Sequence, residues 1–302
     1  MATGKISTVA GTGQRGLDKE HDAVKARLNA PGGLAVDAAG TLYIADTQNH
    51  QVRKVVGGAI STVAEGFSFP TGLAIDSLGN LYVADAGHNQ IRKISPAGVV
   101  TTIAGNGKEG NSGDGQSAVE AELNQPEGVA VDKAGNVYLT DTGNDQVRKA
   151  SNGVIAFVTD KNVGGEGCLS VPTGIAVDSM GNIYFSSTNT SQVLKFSTTG
   201  ETTEVTRHIA WPKGLTLVKD GDEYVAGWGE ERVCEISGGQ VTPVAGTGKS
   251  GYDGDDKDAL TAKLSEPEAV AVDAAGNFYI AESMNHRVRK VTVAAHGPQT
   301  GV

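Results

Sequence analysis

Six times along the chain a proline opens the same pattern. It reads PGGLAVDAAGTLYIADTQNHQVRKVV at 31–56, PTGLAIDSLGNLYVADAGHNQIRKI at 70–94 and PEGVAVDKAGNVYLTDTGNDQVRKA at 126–150, with further copies from 172, 212 and 267. The anchors Pro31, Pro70, Pro126, Pro172, Pro212 and Pro267 lie 39, 56, 46, 40 and 55 residues apart. Such self-similarity restricts a chain to stacked or radially repeated architectures, because one unit cannot bury both of its apolar faces alone.

Within a copy, short apolar runs alternate with turns. In the first, 34–36 and 42–44 flank a turn at 37–40, a polar loop leads to 52–55, and a fourth run follows at 60–64. Four short strands joined by Gly, Asp and Asn turns make one twisted antiparallel sheet. Repeated at this spacing, such sheets are propeller blades. The sixth copy stops at Val293 without a fourth run, whereas the chain begins with KISTVAGT at 5–12, which matches VTTIAG at 100–105 and VTPVAG at 241–246. The expectation is an all-β, six-bladed propeller forming one domain over 1–302. Segment 5–12 supplies the last outer strand and removes an open sheet edge, and 294–302 is a short tail.

The consensus Pro-x-Gly-φ-Ala-Val-Asp-x-x-Gly-Asn-φ-Tyr-φ-Ala-Asp-Thr-x-Asn-His-x-Val-Arg-Lys, with φ apolar, resembles the NHL repeat over about 5–293. The loops at 10–16, 104–110 and 245–251 resemble longer connections of bacterial members, each leading into a short helix ending at Leu28, Leu123 or Leu264. The resemblance implies the fold. It leaves the function open, because propellers host unrelated activities.

Composition narrows the classes. With 25 Lys+Arg against 35 Asp+Glu, the net charge is −10, which repels phosphate backbones. RNA binding, implied by animal tripartite-motif relatives, is thereby disfavoured. Cys168 and Cys234 form no disulfide framework or zinc spacing. No apolar run is long enough to span a membrane. The first residues lack an apolar leader, which reads as cytoplasmic, or as secreted if a signal peptide was removed.

In a propeller the residue after each anchor proline belongs at the channel mouth: Gly32, Thr71, Glu127, Thr173, Lys213 and Glu268. Blades three and six face each other, so Glu127 and Glu268 are the candidate metal ligands, with Ca²⁺ as the chemically suited ion; a ring of solvated side chains is the plainer reading. The Asp/Asn/His set after the second run (Asp46, Asn49, His50 and equivalents) reads as turn-stabilising. The Arg-Lys pairs (53–54, 92–93, 148–149, 289–290) point to opposite faces of a strand, their stems covering apolar neighbours. Segment 252–258 lacks calcium-loop spacing and reads as a solvated turn. Gly-x-Gly at 11–13, 105–107 and 246–248 has no βαβ context.

The repeat fails in blades four and five. Ser187 and Ser191 replace the loop Asp and the His column, and Val218, Gly227 and Cys234-Glu235 replace the acidic and basic positions. Both tryptophans, Trp211 and Trp228, fall in blade five. Departures from a repeat's grammar are expected at functional sites. The leading expectation is therefore a scaffold binding a small ligand, glycan or protein at the mouth through Trp228, Trp211, Lys213, Glu268, Glu282 and Thr173. The alternative is a metal-assisted hydrolase or lyase at the same mouth, with Glu268 and Glu127 as catalytic groups. Resemblance to the peptidyl-hydroxyglycine amidating lyase implies a zinc-binding His after the anchor proline, which no copy has here. Gluconolactonase-type propellers imply a channel cation, and strictosidine-synthase-like ones a mouth carboxylate, a part open to Glu268.

Overall fold

The computed structural model describes residues 4–160, 169–218 and 222–293. Six antiparallel sheets surround a central axis. Their inner strands are Pro31–Val36, Pro70–Ile75, Val129–Val131, Pro172–Val177, Pro212–Leu217 and Pro267–Val272. In the last sheet the N-terminal strand Lys5–Ala10 pairs with Arg287–Thr292 as the fourth strand, closing the ring. The short strand Lys257–Asp258 then caps its outer edge. Cys168 and the tail 294–302 lie outside the described residues.

The glycine of Pro-x-Gly explains why the inner strands can crowd the axis. A Cβ on Gly72 would meet the Glu127 carbonyl oxygen at 2.5 Å, and one on Gly214 would meet that of Glu268 at 2.8 Å. Gly33, Gly128 and Gly174 likewise abut the carbonyls of Thr71, Thr173 and Lys213. The gaps are bridged by hydrogen bonds: Gly72 N–H donates to the Glu127 carbonyl at 2.7 Å and the Ser186 hydroxyl to that of Lys213 at 2.8 Å. Between blades, alternate apolar residues interdigitate, as where Ile44, Leu34 and Leu42 meet Ala269, Ala271 and Tyr279.

Two expectations need correction. The three long connections are not helical. Residues 23–26 are turns, Ala118–Glu120 and Ala259–Thr261 are single 3-10 turns, and Leu28, Leu123 and Leu264 sit on isolated bridges to Arg15, Glu109 and Ser250. Nor do the repeated arginines mainly cover apolar neighbours. Arg53, Arg148 and Arg289 are buried and lie 3.6, 3.5 and 3.7 Å from the equally buried Asp46, Asp141 and Glu282. The lysines after Arg92, Arg148 and Arg289 turn to the other face, where Lys93, Lys149 and Lys290 lie over Tyr82, Tyr138 and Tyr279.

Gly128→Ala should test the crowding at the axis, since its Cβ would stand 2.9 Å from the Thr140 hydroxyl and closer still to the Thr173 carbonyl. Overpacking of this kind costs about 1–3 kcal/mol. A urea melt of the variant should show that loss, and an unchanged midpoint would contradict the account.

Candidate functional site

The inner strands leave an open cavity of about 370 Å³ along the axis. Its wall carries Leu34, Leu73, Val129, Ile175, Leu215 and Val270, and its rim Gly32, Thr71, Glu127, Thr173, Lys213 and Glu268. All six positions expected at the mouth are thus brought together. Lys213 Nζ lies between the two acids, 3.9 Å from Glu127 Oε2 and 3.7 Å from Glu268 Oε2. Burial holds both carboxyls above the usual Glu range, and Lys213 opposes that shift in each. At Glu268 the negative neighbours Glu127 and Glu266 add to the rise. The space between the two acids is occupied by the protein's own ammonium.

The sequence reading missed Glu266, which lines the same cavity and accepts the Ser283 hydroxyl at 3.2 Å. It belongs to a second ring, made by the residues immediately before the anchor prolines: Ala30, Phe69, Gln125, Val171, Trp211 and Glu266. All six have left-handed backbones, with φ from 47° to 53°, a region costly for bulky and β-branched side chains. Each is held there by a clasp from the preceding blade. The Ala30 and Phe69 amides donate to His286 and His50 Nδ1 at 3.1 and 3.2 Å. Those of Gln125 and Val171 donate to Asn89 and Asp145 at 2.8 and 2.7 Å. Those of Trp211 and Glu266 donate to Ser191 and Glu231 at 3.3 and 2.7 Å. The legible signal was chemical: every residue in that column carries a hydrogen-bond acceptor.

Two exposed aromatics stand on this ring, Phe69 at 43% and Trp211 at 49%. Trp211 packs on Trp228 with centroids 5.2 Å apart and planes at 36°. The pair flanks the cavity without lining it. Glu282 departs from its expected place: it is fully buried, accepts from the Ser265 amide and Asn285, and faces Arg289, so it is no mouth anchor. Burial raises it to about 7. Thr173 reaches the cavity, but its hydroxyl is already bonded to Ser186 and Thr188. Segment 252–258 is more than a solvated turn, because Asp255 meets Arg289 at 2.9 Å and Tyr252 lies 3.9 Å under the Arg287 guanidinium. Cys234 is buried, its thiol pushed up to about 12 by desolvation, and therefore inert. Among the described residues, no three His, Cys, Asp or Glu side chains gather as a metal set, and no helix is long and apolar enough to cross a membrane.

Six four-stranded blades closed by the N-terminal strand around an axial cavity define a six-bladed β-propeller. The NHL-repeat model matches residues 28–55, 67–94 and 264–291, and the teneurin NHL-domain model matches 106–164. The chain belongs to the NHL-repeat β-propeller family. No curated protein matches it. Among solved structures, a structural-genomics protein of unknown function from Bacteroides thetaiotaomicron superposes with a TM-score of 0.77 at 19% identity, covering 97% of this chain and 77% of that one. An auxiliary nutrient binding protein from the same organism gives 0.74 at 16%, with the same coverage. Virginiamycin B lyase from Staphylococcus aureus gives 0.63 at 16%, covering 96% and 99%. Likeness at such identities speaks to the fold alone.

His286 must be neutral to accept the Ala30 amide, and burial together with Arg15 and Arg287 lowers its pKa below 6.5. The unfolded chain then binds this proton more readily than the folded one. The clasp's stabilisation is therefore complete above pH 6.5 and lost as pH falls through the lowered value. His286→Asn, which supplies the acceptor type of Asn89, should flatten that loss. Urea melts between neutral and mildly acidic pH should separate the two proteins by about 1 kcal/mol. The buried carboxyls, whose raised values act in the opposite sense, are common to both and cancel. Parallel pH profiles would refute the clasp.

Proposed function

We propose that the protein is a binding scaffold whose site is the channel mouth, and that its ligand is a small polar molecule with one apolar face, a glycan being the fitting class. One observation carries this reading: Lys213 stands 3.7–3.9 Å from both carboxylates, beyond direct hydrogen-bond length. A charged trio at a cavity rim thus keeps donors and acceptors for a guest's hydroxyl groups. The cavity volume falls within the roughly 300–1,000 Å³ of small-molecule sites. The Trp211–Trp228 pair offers an apolar platform at its edge. The fold is shared with a nutrient-binding protein, which is compatible with this role.

The same trio weighs against a metal-assisted hydrolase or lyase. Ca²⁺ takes 6–8 oxygen ligands, and between Glu127 and Glu268 it would have to displace the Lys213 ammonium. The residues do not fit that ion. Addition of millimolar Ca²⁺ should leave the melting temperature unchanged. A rise that vanishes in Glu127→Gln/Glu268→Gln would establish the metal reading instead.

Glycan and peptide panels screened by calorimetry should yield a ligand whose affinity drops about tenfold in Trp211→Ala, the loss expected of one aromatic platform. Lys213→Met should weaken it as well. Binding indifferent to both substitutions would remove the site from the mouth.

A further inference from the structure

In blades three and six a buried arginine meets a second carboxylate, from the connection before the blade; among the described residues the arginine of blade one does not. Three long connections, 11–30, 105–125 and 246–266, precede blades one, three and six, whose third strands carry Arg53, Arg148 and Arg289. Arg148 is fully buried, and its Nη2 donates to Asp114 at 2.9 Å and to the Ser112 carbonyl at 3.1 Å. Arg289 is also fully buried, and its Nη2 meets Asp255 at 2.9 Å and the Gly254 carbonyl at 2.8 Å. Arg92, in blade two, lies behind no such connection and is 22% exposed. Arg53 is only 3% exposed and, like Arg289, leaves Nε and Nη1 without a hydrogen-bond partner among the described residues. Where Arg289 has Asp255 besides Glu282, the one ionic neighbour of Arg53 among the described residues is Asp46 at 3.6 Å.

The cause lies in the first connection. Asp18 and Asp253 anchor equivalent places, each accepting the amide of the residue before the loop leucine, Arg27 and Lys263. From that anchor Asp255 is two residues on, where the first connection has Glu20. The interval from Asp18 to Ala23 is one residue shorter than that from Asp253 to Ala259. Glu20 consequently turns back, is exposed, and accepts the amides of His21 and Asp22 at 2.8 and 3.0 Å. The position that a loop carboxylate fills in blades three and six is left without one in blade one.

We infer that Arg53 binds a small free oxyanion at the place taken by Asp114 and Asp255 in the sister blades. A guanidinium fork matches carboxylate or phosphate geometry, and a buried guanidinium lacking acceptors carries a desolvation cost that such an ion relieves. The site is separate from the channel mouth and does not rest on the function proposed for it.

Inorganic phosphate is the probe, titrated at constant ionic strength. Blade four supplies a tolerated apolar replacement, Ser187 and Leu194 at the positions of Asp46 and Arg53, so Asp46→Ser/Arg53→Leu should fold. Wild type should gain a saturable rise in melting temperature of about 2 °C, absent from the variant. Equal responses, or none, would mean that water alone meets Arg53 and would overturn the inference. Should the variant not fold, wild-type crystals grown with arsenate decide: an arsenic peak within hydrogen-bond reach of Arg53 supports the site, and its absence there sinks it.

Discussion

The close approach of six inner strands around one axis is the constraint from which the rest of this structure follows. It depends on a backbone without Cβ at Gly33, Gly72, Gly128, Gly174 and Gly214, each abutting the carbonyl of the next blade's mouth residue. Because the carbonyl of that residue is engaged between blades, its side chain is set at the rim. At five of the six positions after the prolines, Thr71, Glu127, Thr173, Lys213 and Glu268, the residue is thereby both a joint of the ring and a lining of the cavity. Glu127, Lys213 and Glu268 are placed by packing before any ligand is considered.

A second ring reinforces the first. The residue before each proline is held in a left-handed conformation by an acceptor from the preceding blade. A conformation that would be unfavourable for an isolated Val171, Phe69 or Trp211 is over-determined by six repeats of one bond. Further out, buried Arg–carboxylate pairs link third strands to the loops after second strands. Such pairs stabilise little by themselves because both ions are desolvated, but they penalise any register that leaves one partner alone. Blade four, with Ser187 and Leu194 in place of the ions, obtains the same fold from an apolar contact and a hydroxyl that accepts the Ser170 amide.

Much of this was legible in the residues. Blade number, ring closure by the N-terminal strand and the six mouth positions follow from a periodic pattern whose apolar alternation and turn chemistry agree. What stayed hidden was relational. Nothing local in His50 or Glu231 says that its acceptor reaches the next blade, since that depends on a turn conformation and on the rotation between sheets. Glu282 looked like a mouth acid because its column is polar, yet the column points inward to Arg289. The ion pair of Lys213 with Glu127 and Glu268 spans blades three, five and six, so no sequence spacing encodes it.

The binding role assigned to the mouth can be tested with the protein's own chromophores. Both tryptophans of the chain, Trp211 and Trp228, are packed together beside the mouth, so intrinsic tryptophan emission reports on that one region. Titration of the unmodified protein with members of a glycan panel should give, for at least one, a saturable change in emission that is lost in Lys213→Met. A ligand that binds tightly by calorimetry while leaving the tryptophan emission unchanged would place the site elsewhere and contradict the account.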